Sequence, residues 1–321
     1  MSLTNHFPIV SVGVPSYNRV KSLEKAIDSI LAQTYQHLEI VISDNASTDQ
    51  TEDYVRALME REPRVRYYRQ PINFGLARNF EYVLEKATGK YFIFLADDDT
   101  FEPDTIEKYV DFMEANPDYS LVSGDFDLVD EGKLIFRELA VDYEWSNPIL
   151  RTLKFYAEVT LGSIFHGLMR REQGQRIPFY STLGAAWHFV ASLVFQGKVK
   201  RLDFVGYNKE AGGVSAGFHG YARNLGEKKI WGYFPITKAA IDTISEIGWS
   251  NRVYHKLNPV IRLLAGCAGC LLILGHYGLV IKPRTWAGKI LRMLRIKTPN
   301  ERRFQKLTTN LPQEQKTQAS S

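Results

Sequence analysis

Short apolar runs alternate with segments of helical periodicity through the first 120 residues. Strand-like runs at residues 9–14, 38–42, 65–68, 91–95 and 120–122 flank segments with apolar side chains at helical spacing, at residues 20–34, 51–59, 76–87 and 105–115. The connections are short, and the runs are apolar enough to be buried on both faces. This pattern predicts an α/β fold with a mostly parallel, Rossmann-like sheet covered by helices on both faces.

Polar clusters follow the first, second and fourth predicted strands. They begin at Pro15, at Asp44 and at Asp97, where three aspartates are consecutive. The carboxyl ends of parallel strands meet at one edge, where ligands of such folds bind. Adjacent carboxylates repel one another unless a cation or hydrogen bonds compensate. Mg²⁺ and Mn²⁺ prefer oxygen ligands and are often held by one or two carboxylates plus a phosphate. The triplet predicts a metal–diphosphate site, and the alternative is a solvated turn capped by Asp99 or Thr100.

Other phosphate and metal motifs are missing from the sequence. No G-x-G-x-x-G follows a strand, the Thr88-Gly89-Lys90 segment lacks the upstream glycine loop of a P-loop, and H-E-x-x-H does not occur. Gly213–Gly217 matches G-x-S-x-G in letters, but no predicted strand precedes it, and a glycine-rich loop is the better interpretation. These observations disfavour a dinucleotide-binding domain, a P-loop enzyme and a zinc protease.

Five ordered segments resemble the family 2 glycosyltransferases. They are residues 8–19, 29–35, 39–49, 73–79, and 97–99 with Pro103 and Asp104. The resemblance covers about residues 8–130 and implies a GT-A fold, a nucleotide-diphosphate sugar donor, inversion at the anomeric carbon, and Mn²⁺ or Mg²⁺ as cofactor. The form Ala96-Asp97-Asp98-Asp99 is similar to abequosyl- and rhamnosyl-transferase-like members that assemble bacterial surface polysaccharides.

The resemblance implies a role for each matching residue. Tyr17 would pack on the nucleotide base and Asp44 would accept its N–H. Pro15 and Arg19 would line that pocket, Arg78 would reach the base or a phosphate, and Asp97 would bind the ribose. Asp98 would hold the metal, and Asp99 would complete its shell or cap the next helix. For Tyr17 the alternative is an exposed turn residue, and for Asp44 it is a helix cap.

The catalytic base departs from the family pattern. Inversion in one displacement needs a base for the acceptor hydroxyl, and members of this family usually supply an aspartate at the start of a helix. The corresponding stretch here, residues 183–189, contains no acid, so His188 is the first candidate, and a helix histidine satisfied by its neighbours is the alternative. Asp125 and Asp127 are further candidates. His166 either faces the acceptor or packs, and the segment 207–215 is similar to the family's loop over the diphosphate.

Charge is divided unevenly along the chain. Residues 251–306 hold twelve Lys and Arg and one acid, a net charge of +11, and because residues 307–321 are neutral and the total is +4, residues 1–250 carry −7. The stretch 263–281 has no charged residue, is long enough to span a membrane, and is better explained as a buried or interfacial helix. The segment 282–297 has the pattern of a basic amphipathic surface for anionic lipid. No base-reading motif accompanies the charge, which disfavours nucleic acid.

These observations predict three parts. Residues 1–225 form the GT-A catalytic domain, with a nucleotide-sugar half at 1–130 and an acceptor half at 131–225. Residues 226–306 form a basic helical extension, and residues 307–321 a disordered tail. No secretory signal is visible, so we expect a cytoplasmic enzyme at the inner face of the plasma membrane, acting on a glycan or polyprenyl-linked glycan.

Two other functions remain open from the sequence. The missing acidic base is compatible with a non-catalytic nucleotide-sugar-binding or scaffold protein of the same assembly. A nucleotidyltransferase on a related sheet would need a glycine-rich, basic phosphate loop after the first strand, and Pro15-Ser16-Tyr17-Asn18 is not such a loop.

Overall fold

A nine-stranded mixed sheet forms the centre of the computed structural model, which describes residues 7–130, 132–159, 163–211, 225 and 228–277. Its strands are β1 Val10–Ser16, β2 Leu38–Asp44, β3 Val65–Arg69, β4 Tyr91–Phe94, β5 Thr100–Phe101, β6 Tyr119–Asp130, β7 Lys133–Glu138, β8 Leu168–Arg170 and β9 Lys198–Glu210. The strand order is β3-β2-β1-β4-β8-β6-β9-β5, and β7 pairs with β6.

The first half of the chain has the predicted alternation. Four helices connect its strands: α1 Val20–Leu31, α2 Thr51–Arg61, α3 Leu76–Lys86 and α4 Thr105–Ala115. Strands β3, β2, β1 and β4 are parallel neighbours, and β1, β2 and β4 are buried along their whole length. In α1 the spacing of Leu23, Ala26, Ile27 and Ile30 places all four against the sheet. The predicted α/β architecture is confirmed.

The second half is more mixed than the sequence indicated. Strand β8 is antiparallel to both β4 and β6, β9 is parallel to β6, and β5 is antiparallel to β9. The helices here are α5 Pro148–Glu158, α6 Arg171–Gln175 and α7 Ala185–Gln196. The sequence did not predict β5, β7 or β9. Strand β9 mixes charged and apolar residues and is only partly buried, so it lacks the continuous apolar run of β1.

Three helices follow in the predicted extension. They are α8 Lys229–Tyr233, α9 Pro235–Ser245 and α10 Pro259–Gly275, and the described residues up to Leu274 belong to one compact unit. Helices α9 and α10 meet through glycine. A Cβ on Gly266 would lie 3.0 Å from the Ile244 Cα, and one on Gly269 would lie 2.8 Å from the Thr243 Cγ2. Among the described residues, no helix has both the length and the apolar character needed to cross a bilayer. Residues 278–321, with the predicted amphipathic segment and tail, lie outside the described residues.

A buried carboxyl group lies where α9 ends. The Asn251 side-chain amide donates to Glu246 at 3.2 Å and to the Ser192 hydroxyl at 2.8 Å. Burial raises the pKa of Glu246 to about 7, and the nearby Asp242 adds to this shift. The hydroxyls of Tyr156, Tyr180 and Tyr254 are also close enough to interact with Glu246. This carboxyl is therefore a source of pH-dependent stability.

We expect Glu246→Gln to raise the melting temperature at pH 8 and to raise it clearly less at pH 5.5. Between pH 4.5 and 7 the folded state binds a proton that the unfolded chain releases, so this group's contribution to stability declines as the pH rises through that window. Glutamine cannot ionise, so the variant does not lose this stability, and we expect its melting temperature at pH 8 to be about 2–5 °C higher than that of the wild type. Thermal denaturation at both pH values measures the effect, with Glu60→Gln on the exposed face of α2 as control. A loss of stability at pH 8 would contradict the expectation.

Candidate active site at the carboxyl edge of the sheet

The predicted site residues follow strands that end side by side. Ser16 at the end of β1 is in register with Asp44 at the end of β2, and Gly13 of β1 is in register with Phe94, the last residue of β4. The backbone N–H of Tyr17 donates to the Asp97 carboxylate at 3.3 Å. Residues 80 positions apart in sequence therefore meet at this edge, as the sheet topology requires.

The loops after β1 and β2 are held together in a strained conformation. Asn18 and Ala46 have positive φ angles of 55° and 63°, which residues other than glycine rarely adopt. The Asn18 side-chain oxygen accepts from the Thr48 N–H at 2.7 Å, and the Asn18 N–H donates to the Ser47 hydroxyl at 2.9 Å. Such strain, maintained by surrounding hydrogen bonds, is typical of functional sites.

Asparagines attach the start of α3 to the same edge. The Asn79 amide donates to the carbonyls of Ser16 and Ser43 at 3.3 and 3.2 Å. Asn45 donates to the Asn73 side-chain oxygen at 2.7 Å and accepts from the Phe74 N–H at 2.9 Å. The segment 73–79, which the sequence analysis identified by resemblance alone, therefore has a structural role in fixing the first two loops.

Asp44 is completely buried and its carboxylate is fixed. It accepts from the Ser47 N–H at 2.8 Å and from the Tyr67 hydroxyl at 2.6 Å, and the Arg69 Nε lies 3.6 Å away. Burial and the bond to Asp44 raise the pKa of Tyr67 above its usual value, so this hydroxyl stays a donor. The bond from the Ser47 N–H is the contact expected if Asp44 caps the following loop. Tyr67 and Arg69 orient the carboxylate at the strand end.

The three consecutive aspartates have different partners. Asp98 is partly exposed and forms an ion pair with Arg19, whose guanidinium also lies 3.9 Å from Asp97. Asp99 is buried, accepts from the Tyr207 hydroxyl, and accepts from the Glu210 N–H at 2.9 Å. Burial, with the charge of Asp98 added, raises the pKa of Asp97 to about 6 and that of Asp99 to about 7. The triplet therefore holds carboxylates whose negative charge is only partly compensated.

A divalent cation fits this donor set. Within the described residues, no group of three or more His, Cys, Asp or Glu side chains converges as a complete set of protein ligands. Mg²⁺ and Mn²⁺ bound through one or two carboxylates and the oxygens of a diphosphate do not need such a group. Asp98 and Asp99 supply hard oxygen donors, and the partly compensated negative charge of the triplet favours a cation.

The remaining predicted binding residues, Tyr17, Pro15 and Arg78, differ in how they lie relative to the aspartate triplet. The ring of Tyr17 is 43% exposed beside Asp97 and is free to stack on a planar ligand, while Pro15 is buried within β1. Arg78 lies on the exposed side of α3 and forms ion pairs with Glu81 and Glu85 at 2.6 and 2.7 Å. The structure therefore does not join Arg78 to the aspartate cluster, because two nearer carboxylates of its own helix hold the guanidinium.

The geometry does not support either predicted base. His188 is buried in the first turn of α7, its Nδ1 lies 3.2 Å from the Tyr156 hydroxyl, and its Nε2 has no hydrogen-bond partner among the described residues. Burial lowers its pKa to about 4, so the imidazole is neutral and enclosed rather than open to an acceptor. The alternative of a packed helix histidine agrees better with this environment.

Asp127 is held elsewhere on the sheet. Both carboxylate oxygens accept from Arg137, at 2.6 and 2.8 Å. Asp127 is in register with Asn208, whereas its neighbour Phe126 is in register with Tyr207. Since successive side chains of a strand point to opposite faces, Asp127 lies on the face opposite the Tyr207–Asp99 contact. Asp125 is likewise held, by two bonds of 2.7 Å to Arg201.

Strand β9 contributes contacts that sequence reasoning only partly identified. Its end carries Tyr207 and Glu210 to Asp99, and the Tyr207 ring stacks on His166 with centroids 4.4 Å apart. The resemblance of segment 207–215 to a diphosphate loop was the available signal. Residues 212–220, which contain the G-x-S-x-G match, lie outside the described residues.

Helix α9 brings a carboxylate to the start of α7 that the sequence analysis missed. The Thr182 hydroxyl donates to Asp242, and Lys238 also donates to Asp242, at 2.8 and 2.6 Å. Leu183, the next residue, packs in one apolar cluster with Ala77 of α3. Because 60 residues separate Thr182 from Asp242, no local pattern could have indicated this placement.

Comparisons with known proteins agree with the architecture. A family profile described as Glycosyl transferase family 2 matches residues 11–182, more than half of the chain. Staphylococcus aureus TarS 1–349 in complex with UDP superposes with a TM-score of 0.58 at 14% identity, covering 96% of this chain and 77% of that TarS chain. A Pyrobaculum calidifontis mannosyltransferase in complex with GDP-Man and Mn²⁺ superposes with a TM-score of 0.52 at 18% identity, covering 93% of this chain and 83% of the mannosyltransferase chain.

Curated relatives match the first part of the chain. A putative teichuronic acid biosynthesis glycosyltransferase of Bacillus subtilis is 37% identical over 111 residues, 35% of this chain and 44% of the relative. A β-1,3-glucosyltransferase of Campylobacter jejuni named for GalNAc(5)-diNAcBac-PP-undecaprenol is 31% identical over 185 residues, 56% of this chain and 59% of the relative. The matches span less than two thirds of the length of these relatives.

The sheet order and the acidic edge define a protein of the GT-A class, which confirms the fold expected from the sequence. The chain belongs to glycosyl transferase family 2.

Proposed function

We propose that the chain is an inverting, metal-dependent glycosyltransferase that moves a sugar from a nucleotide-diphosphate donor to a hydroxyl of a glycan. The observation that carries this proposal is the convergence of Asp44, the Asp97–Asp99 triplet and the exposed Tyr17 ring at one strand edge. Family membership and the nucleotide-bearing structural neighbours support the reaction class.

Each of these residues has a task in donor binding. The ring of Tyr17 stacks on the base, and Asp44, which is completely buried, fixes the neighbouring loop through the Ser47 N–H rather than accepting a base N–H directly. Asp97, held by the Tyr17 N–H, accepts from a ribose hydroxyl. Arg19 neutralises Asp98 in the free chain and is placed to turn to the diphosphate when donor binds.

Asp98 and Asp99 would hold Mn²⁺ or Mg²⁺ against the diphosphate. A cation held there would supply stabilisation of the negative charge that develops on the leaving nucleoside diphosphate. Tyr207 and the Glu210 N–H hold Asp99 in place, so β9 orients this carboxylate.

We further propose that Asp242 is the base, in place of His188 or Asp127. Its carboxylate is partly exposed beside Thr182, directly ahead of α7, and the adjoining Leu183 packs on α3 close to the donor edge. Lys238 donates to it at 2.8 and 2.6 Å, and the carboxylate is placed to accept the acceptor proton.

Two relatives support a proposal for the acceptor and the location. Their printed names concern teichuronic acid and an undecaprenol-linked glycan, and we infer a lipid-linked or surface glycan as acceptor, at the inner face of the plasma membrane. We infer a UDP-, GDP- or dTDP-sugar as the donor.

Release of nucleoside diphosphate from a panel of these donors tests the proposal against the alternative of a non-catalytic binding protein. We expect Mn²⁺-dependent release from one donor, accelerated by a lipid-linked glycan. Donor binding without any release, with or without acceptor, would favour the binding protein instead.

A further inference from the structure

Helix α10 has an unusual distribution of side-chain sizes. Small residues face the body of the protein: Ala265 is buried, and Gly266 and Gly269 pack closely against α9 and α5. Most of its large apolar residues face outward, although Ile273 is buried. We call the outward row the apolar stripe, and it consists of Val260, Leu264, Cys267, Leu271 and Leu274.

The stripe is continuous along the helix. Its members are separated by four, three, four and three residues, so they share one face over the whole length of α10. Val260 and Leu264 are each 65% exposed and Leu271 is 69% exposed. Ile261 and Leu263 widen the face at its start. A row of this length without a polar side chain is larger than the scattered apolar residues of an ordinary surface.

The charged residues near the stripe in sequence are of one sign. The described residues 247–277 contain three cations, Arg252, Lys256 and Arg262, and no acid. Arg252 and Lys256, just ahead of α10, are exposed. Two copies of this chain meeting through the stripe would bring their cations together, whereas an anionic bilayer surface complements them.

We propose that the apolar stripe is the surface by which the protein inserts shallowly into an anionic membrane, with α10 lying in the plane of the interface. A helix of 17 residues is about 25 Å long, which is shorter than the roughly 30 Å hydrocarbon core of a bilayer. Its outward apolar face suits the boundary between headgroups and acyl chains. The inference rests on the proposed location at a membrane and assigns that location to specific residues.

Co-sedimentation of the full chain with vesicles tests this assignment. We expect binding to phosphatidylglycerol-containing vesicles and little binding to pure phosphatidylcholine. The double variant Leu264→Glu/Leu271→Glu should bind the anionic vesicles at least tenfold more weakly, and Leu264→Gln/Leu271→Gln should also be weakened without adding negative charge. The matched control is Leu134→Glu/Ile135→Glu on β7, where both side chains are also exposed.

The oligomeric state in vesicle-free buffer and donor hydrolysis are measured alongside vesicle binding. Absence of vesicle binding by the wild type, or unchanged binding by both stripe variants, overturns the proposal. A dimer in vesicle-free buffer that both variants dissociate overturns it in favour of a second copy as the occupant. Donor hydrolysis is measured in the same samples to separate this inference from the proposed function. Hydrolysis without vesicle binding would support the proposed reaction and contradict only the membrane-binding role of the stripe.

Discussion

Replacing Asp98 with alanine should reduce metal-dependent turnover by about 10²–10³-fold, the range seen when a group that stabilises developing charge is removed. Asp98 is the most accessible carboxylate of the triplet and lies against Arg19. Its loss removes an oxygen ligand from the cation and also frees the guanidinium to pair with Asp97. Steady-state rates measured over a range of Mn²⁺ concentrations detect both effects.

A matched control is available a few residues away. Asp104 is an exposed aspartate that pairs with Lys108 on the following helix turn. Asp104→Ala removes the same side chain and should cost less than about 1 kcal/mol of stability with no change in the response to Mn²⁺. Full activity of Asp98→Ala at saturating donor would exclude the metal role assigned to this residue.

Replacing Asp242 with asparagine should lower turnover by about 10²–10⁴-fold while the KM for donor changes little. Asparagine keeps the size of the side chain and can still accept from Thr182 and Lys238, so the fold is preserved. It does not accept a proton at neutral pH, so the chemical step alone is lost. Rates with saturating acceptor, together with donor affinity measured separately, distinguish the two effects.

The two earlier candidates serve as comparisons. His188→Ala should leave turnover within a few-fold of wild type and lower the melting temperature, because it removes a buried ring that contacts Tyr156. Asp127→Asn should behave like wild type in turnover, since Arg137 occupies both oxygens. If Asp242→Asn retained full turnover and His188→Ala lost it, the base would be the histidine.

The sheet of the first half could be predicted from the sequence because its strands are buried on both faces. Runs such as those of β1 and β4 contain almost no polar residue, and the helices between them repeat with a clear period. The aspartates at the strand ends could be placed for the same reason, since parallel strands bring their carboxyl ends to one edge. Residues such as Asp44, Asp97 and Tyr17 are therefore located by topology.

The rest of the site depends on long-range packing that leaves no local pattern. Arg78 was expected at the ligand, but Glu81 and Glu85 on its own helix are nearer partners. His188 has a polar side chain, yet α7 is buried on nearly all sides and encloses it. Tyr207 and Asp242 reach the site from a partly charged strand and from a later helix, and only the tertiary structure brings them to Asp99 and Thr182.

Donor binding measured by thermal shift tests the central claim most directly, because a ligand that binds the native state selectively stabilises it. We predict that one of the UDP-, GDP- or dTDP-sugars raises the melting temperature of the wild-type chain, more so with Mn²⁺, and that Asp97→Ala abolishes the increase. If no nucleotide sugar changes the melting temperature with or without Mn²⁺, the acidic edge is not a donor site and the account is contradicted.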